Sequence, residues 1–175
     1  ATQWDYIILI GDPYTMEYLP GLYAQGVATI AGEVAKSANP AEVILLMPWP
    51  AATSSSTVAH YKEVVYRAGR SGGLKVAPAG LAWQQEDGVH GTTHPTTNGA
   101  YISAASIYSS IFNESAGQST YSYNDTLADS VSAVVNANKD AQQYTGNFSF
   151  QNPFLPVNGK SRRPQFTNYG SSTED

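Results

Sequence analysis

The sequence predicts an α/β domain built on a parallel sheet, and three observations carry that prediction. Three short, mainly apolar segments are spaced along the first half of the chain: Asp5 to Ile10 and Val43 to Met47, which hold continuous apolar runs, and Leu74 to Ala77, interrupted by Lys75. Each ends at a turn signal, namely Gly11-Asp12-Pro13, Pro48-Trp49-Pro50 and Pro78-Ala79-Gly80. Between them lie stretches whose apolar residues recur every three to four positions. Continuous apolar runs bounded by Gly and Pro read as strands buried on both faces, and alternation with helical segments makes those strands parallel with right-handed crossovers.

The first run, Tyr6 to Ile10, is expected to be a buried strand. After it, Leu19, Leu22, Tyr23, Val27, Ile30 and Val34 fall on one helix face, with Asn39-Pro40 closing the segment. The second strand follows at Val43 to Met47. Ser54 to Ser56 are placed to cap a second helix, on which Val58, Tyr61, Val64, Val65 and Ala68 share a face and which Gly69 to Gly73 ends. The third strand covers Leu74 to Ala77. After a His-containing loop, Gly99 to Phe112 reads as a third helix, periodic in Tyr101, Ala105, Tyr108 and Phe112. Residues 1–112 form the α/β region and residues 113–175 a different one. In the latter, Asn113 to Asn124 is a polar loop and Asp125 to Tyr144 a helix carrying Leu127, Val131, Val134 and Val135. From Gly146 the chain is extended and aromatic, with Phe148, Phe150, Phe154, Phe166 and Tyr169 expected to pack on the domain or on a neighbouring subunit.

Bulk composition narrows the function. The chain has 175 residues, 42% hydrophobic and only 13% charged, enough for one domain with a real core. A formal net charge of −5, with Lys160, Arg162 and Arg163 as the one basic cluster, excludes a basic nucleic-acid face. The longest apolar runs are far too short to span a bilayer. Cysteine is absent, which rules out disulfides and thiolate metal sites. Composition leans extracellular, being rich in Ala, Gly, Ser, Thr, Asn and Tyr and poor in Lys. Asn113, Asn124 and Asn147 each begin a glycosylation triplet, a weak signal in so Ser- and Thr-rich a chain. No signal peptide is visible before Ala-Thr-Gln-Trp.

The chemistry-bearing stretch runs from Glu86 to Tyr101. It follows a strand and opens a helix, and ligands of open α/β sheets bind at the carboxyl ends of the strands. Asp87, His90 and His94 lie there. Nucleophilic hydrolysis needs a base near a hydroxyl and an acid that orients the base. Pro95 suits the start of a helix, with Thr96 or Thr97 as its cap. The same three side chains could hold a metal, but Gly91 and Pro95 break the helix that i, i+4 histidines would need, so no metal and no cofactor is expected. His60, beside Tyr61 on the second helix, reads as a surface residue.

This stretch resembles the closing block of SGNH/GDSL hydrolases: Asp-x-x-His-Pro, a Gly about five residues after the His, then an Ala-rich helix. Asp87-Gly-Val-His90 matches the first part. His94-Pro95 to Gly99, followed by Ala100 to Ala105, matches the second, with Gly91 to Thr93 as an apparent insertion. The resemblance spans about residues 4–112, since the three strands occur in the order the family has. It implies a three-layer, flavodoxin-like fold, with His94 or His90 as catalytic base and Asp87 as its orienting acid. Trp4 to Gly11 resembles the strand before the family's Gly-x-Asn-Asp block, which makes Gly11 the oxyanion candidate.

Two departures accompany the resemblance. The family's Gly-Asp-Ser block belongs on a strand ahead of Trp4, so the domain reads as N-terminally incomplete. The oxyanion Asn is replaced, because the turn reads Gly11-Asp12-Pro13-Tyr14 and a carboxylate repels a developing oxyanion. The resemblance therefore implies part of a secreted carbohydrate- or lipid-ester hydrolase whose serine lies upstream, on another fragment of the same protein if the chain is processed. The competing expectation is a non-catalytic extracellular subunit, structural or adhesive, assembling through residues 146–175.

Overall fold

The computed structural model describes residues 3–50, 57–86, 95–120 and 123–143. Within them the chain is α/β, with a three-stranded parallel sheet in the order β1-β2-β3. The strands are β1 (Tyr6–Ile10), β2 (Glu42–Leu46) and β3 (Lys75–Ala77). Tyr6 pairs with Glu42 through to Ile10 with Leu46, and Ile44 to Leu46 pair with Lys75 to Ala77. The helices are α1 (Pro13–Tyr18), α2 (Pro20–Val34), α3 (Val58–Gly72), α4 (Ala79–Gln85), α5 (Thr97–Phe112) and α6 (Asp125–Asn138). One-turn 3₁₀ segments lie at Ala116–Gln118 and Ala141–Gln143.

Alternation along the strands splits the core, as a pleat requires. Leu45, Met47 and Val76 point to one face with Leu9, and meet Met16, Tyr23 and Val27 and the buried side of α3 (Tyr61, Val64, Val65, Ala68). Ile44, Leu46 and Ala77 point to the other face with Ile8, where Ile107 and Ile111 of α5 cover them. A further cluster joins α4, α5 and α6 through Trp83, Ile102, Ala105, Leu127, Ala128, Val131 and Val135. The helix periodicity read for α6 thus points inward as expected.

Several local expectations change. The helix expected from Leu19 to Val34 is α2, and a short helix that was not expected, α1, precedes it: Asp12 caps α1, and Pro20 restarts the chain as α2 after Leu19. Helix α3 is capped by Thr57, whose hydroxyl accepts from His60 N at 3.2 Å, and it runs through Gly69 to end at Gly73 in the left-handed region (φ 65°). Gly69 lies inside the helix, where a Cβ would meet Ala141 Cβ at 3.0 Å and Val76 Cγ2 at 3.2 Å, a tight fit. Helix α4 was not anticipated. Gly80, which reads as a turn residue, lies inside it, where the Pro48 carbonyl oxygen would sit 2.2 Å from any Cβ. On α5 the buried face is rotated from the tyrosine stripe to Ile102, Ala105, Ser106, Ser109 and Ser110, while Phe112 is exposed. Small serines are buried where the larger Tyr101 and Tyr108 are only partly covered. His60 is not a free surface residue: it is half-buried, and its Nε2 lies 3.1 Å from the Met16 carbonyl oxygen, tying α3 to α1.

The most consequential difference concerns β1. Read as a buried strand, it is an edge of the sheet, with no strand on its outer side among the described residues. Tyr6 and Ile10 are exposed, the latter 62%. The apolar surplus continues on both neighbouring layers: Leu22 and Ile30 of α2 on one side, and Phe112 of α5, whose ring meets Tyr6 at 6.4 Å, on the other. The sequence stripe on α2 is therefore wider than the core that the described residues supply. Parallel strands are normally covered on both faces, and bare apolar edges invite pairing.

Candidate functional site

The carboxyl ends of the three strands define the edge where a site is expected. Helix α5 runs back against the strands, since its last residue, Phe112, meets Tyr6 at the start of β1. Its N-terminus therefore lies at the carboxyl edge. There Thr96 caps it by accepting from Gly99 N at 3.3 Å. The buried Trp83 of α4 donates its indole N–H to the Gly99 carbonyl at 3.1 Å, and its ring stacks on Trp49, three residues beyond the end of β2. The Trp49–Trp83 centroids are 3.7 Å apart with planes 6° from parallel. These contacts bind the exit of β2, helix α4 and the start of α5 into one unit. Sequence periodicity did not reveal the Trp pair.

Of the residues expected to carry chemistry, Asp87, His90 and His94 lie outside the described residues. Their flanks are placed. Glu86 ends α4 and accepts from Ser130 Oγ of α6 at 2.7 Å, and Pro95 leads directly into the α5 cap. Among the described residues, no group of three or more His, Cys, Asp or Glu is arranged to hold a metal ion.

Gly11 stands at the carboxyl end of β1, as the oxyanion expectation requires, and packing explains its identity. A Cβ there would lie 2.4 Å from Tyr23 Cε2 and 3.0 Å from Met16 Sδ. Asp12 has its own explanation: its carboxylate accepts from Thr15 N at 2.7 Å and Thr15 Oγ1 at 2.9 Å, with Pro13 at the first helical position. It is a helix cap and has no hydrogen to give an oxyanion. Beside this turn a cavity of about 210 Å³ opens along the bare edge, lined by Ile10, Gly11, Asp12, Leu22, Tyr23 and Ile30. A larger one, of about 350 Å³, lies at the opposite end of β1 among Trp4, Ile7, Val34 and Asn39, away from the strands' carboxyl edge. Both follow the same uncovered strand.

Tyr23 was read only as a core residue. It is 7% exposed, and its hydroxyl makes no hydrogen bond among the described residues. Burial pushes its phenol above the ordinary value of 10.0. An acid whose folded pKa is raised contributes stability that is intact below its unfolded pKa and is lost as pH rises past about 10. Tyr23→Phe is accordingly expected to be neutral or to stabilise the chain by about 1 kcal/mol at pH 7, since it removes a buried hydroxyl with no partner. It should also reduce the loss of stability above pH 10, where each pH unit costs the native protein up to about 1.4 kcal/mol through this group. Urea unfolding at pH 7 and pH 11 measures both effects, and a Tyr23→Phe chain less stable than the parent at pH 7 would contradict the unpartnered hydroxyl.

No family model, no curated protein and no solved structure matches the chain. What the described residues define directly is the class: an α/β chain on a parallel three-stranded sheet, in which no helix is long and apolar enough to cross a membrane.

Proposed function

We propose that this chain is part of an extracellular ester hydrolase of the SGNH type, with a flavodoxin-like three-layer fold whose sheet continues past β1. The observation that carries the reading is the bare apolar edge of β1 with Gly11 at its carboxyl end. That is where the resemblance puts a strand ending in the nucleophilic serine, and Leu22, Ile30, Tyr6 and Phe112 supply apolar surface on both sides of it. The order β1-β2-β3, the return of α5 to the carboxyl edge and the Thr96 cap just after His94-Pro95 support it further.

In this reading the serine Oγ attacks the acyl carbonyl while His94, or His90, takes its proton, and Asp87 holds the imidazole in the working tautomer. Negative charge gathers on the carbonyl oxygen and is met by the Gly11 backbone N–H, since Asp12 cannot donate. Collapse breaks the ester C–O bond, and the protonated histidine delivers its proton to the leaving alcohol. Water, deprotonated by the same histidine, then releases the acid. The substrate is a carbohydrate or lipid ester, and no cofactor enters.

A second reading has one specific observation behind it. With Asp12 committed to capping α1, the turn after β1 lacks the side-chain donor of an oxyanion hole. A subunit that kept the fold, lost the chemistry and pairs its β1 edge with a partner chain fits that. Turnover separates the two. The intact protein, shown to be folded, is expected to hydrolyse p-nitrophenyl acetate or acetylated oligosaccharides well above the buffer rate. Absence of turnover on short- and long-chain esters alike would favour the structural subunit.

A further inference from the structure

We propose that Trp49 is the floor of a ring-binding subsite at the carboxyl edge of the sheet, taking the flat face of a neutral six-membered ring, sugar or aryl. The inference rests on the hydrolase reading only in making that ring part of the ester.

Trp83 is 1% exposed, and its one donor is spent on the Gly99 carbonyl, so it is a fixed backing. Trp49 lies parallel on it at contact distance. Trp49 is itself only half-buried, and Pro48 and Pro50 restrict the backbone on either side. Its indole N–H makes no hydrogen bond among the described residues and does not figure among the buried polar atoms that lack a partner. It is therefore an unspent donor, not fully buried, beside a ring stacked on a fixed partner. A ring held at little further cost in rotamer freedom, with one unspent polar handle, is a contact group for ligands that have a flat apolar face and a hydroxyl rim.

The position agrees, being beyond the carboxyl end of β2, beside the start of α5, where open α/β sheets bind ligands. The charge agrees as well. No Lys, Arg, Asp or Glu occurs at Pro48 to Pro50, at Trp83 or in Thr96 to Ala100, so these described residues offer a phosphate or a carboxylate no charged partner.

The test needs no turnover. The chain has three Trp, hence three indole N–H signals in a ¹⁵N-correlated spectrum, and Trp49→Phe assigns the one that matters. Methyl β-D-xylopyranoside and p-cresol are titrated separately. The expected result is a saturable shift of the Trp49 signal with one of them, no shift at Trp4, and an affinity at least about tenfold weaker in Trp49→Ala, the size of a lost ring stack. Trp49→Phe should keep most of the binding. A shift with the sugar makes the substrate a carbohydrate ester, and a shift with the cresol an aromatic one. A Trp49 signal unmoved by both, or equal affinity in folded Trp49→Ala, overturns the subsite. If Trp49→Ala does not fold, the parent titration alone decides. Ring binding by a protein that fails to hydrolyse esters would keep the subsite and remove the enzyme. Turnover without ring binding would do the reverse.

Discussion

Replacing His94 with Ala in the intact protein is expected to lower kcat/KM for a good ester substrate by about 10³- to 10⁴-fold, while His90→Ala changes it by only a few-fold. The magnitude is that of losing the general base of a Ser-His pair, about 4 to 5.5 kcal/mol of transition-state stabilisation. The choice between the two histidines follows from chain connectivity. His94 is bonded to Pro95, which stands one residue ahead of the Thr96 cap, and that end of α5 is fastened to the carboxyl edge by the Trp83–Gly99 bond. His90 is four residues further from that anchor. Asp87→Asn should lose a similar order of rate, because an amide cannot stabilise the imidazolium or fix its tautomer. A His90→Ala chain that is the inactive one would transfer the base to His90. Full activity in both single variants would remove the loop from the mechanism. Circular dichroism of each variant separates chemistry from folding.

Gly80→Ala carries the largest expected effect on stability. Its Cβ would lie 2.2 Å from the Pro48 carbonyl oxygen and 3.0 Å from the Pro48 carbonyl carbon, both backbone atoms that cannot turn aside. Gly80 N also donates to the Met47 carbonyl at 2.9 Å, so α4 is fastened to the exit of β2 at the point of the clash. Relief requires α4 and that exit to part, which breaks this hydrogen bond and disturbs the Trp49–Trp83 stack. A loss of about 3 kcal/mol or more is expected, the upper part of the range for overpacking. That is a fall of about 6 to 12 °C in Tm for a chain of this size. Gly32→Ala is the matched control. It lies in α2 off the Leu22–Ile30 stripe, exposed and with nothing within 4 Å of its Cβ, so it should gain up to about 1 kcal/mol from helix propensity. Thermal melts of the two variants side by side test the contrast, and a Gly80→Ala chain as stable as the parent would contradict the packing of α4 on β2.

The parallel sheet was legible because Tyr6 to Ile10 and Val43 to Met47 are short apolar runs, and Leu74 to Ala77 a mainly apolar segment, each closed by Gly or Pro, a pattern with few other solutions. Helix α4 was not, because it has only seven residues, begins at Pro78 with no side-chain cap and holds a Gly that close packing, rather than a turn, demands. The face of α5 was misjudged because apolarity pointed to Tyr101, Tyr108 and Phe112, whereas the buried positions include small, polar Ser106, Ser109 and Ser110, which an apolar period does not mark. Periodicity showed that β1 and α2 are apolar but not which side of them is covered, since that depends on what lies next to β1. Gly11 directly follows β1, as the strand reading placed it. Asp12 proved to be a helix cap, which its spacing to Thr15 permitted reading. The Trp49–Trp83 stack joins residues far apart in sequence, and no local pattern announces such a pair.

The central claim is that a serine nucleophile works against the edge formed by Gly11 and the start of α5. Fluorophosphonate labelling of the intact protein, read by intact mass and peptide mapping, tests it most directly. The account predicts one stoichiometric adduct, on a serine of a strand that pairs with β1 and lies outside these 175 residues, and loss of that adduct in His94→Ala. A folded protein that takes no adduct, or one labelled on a serine within residues 1–175, would contradict it.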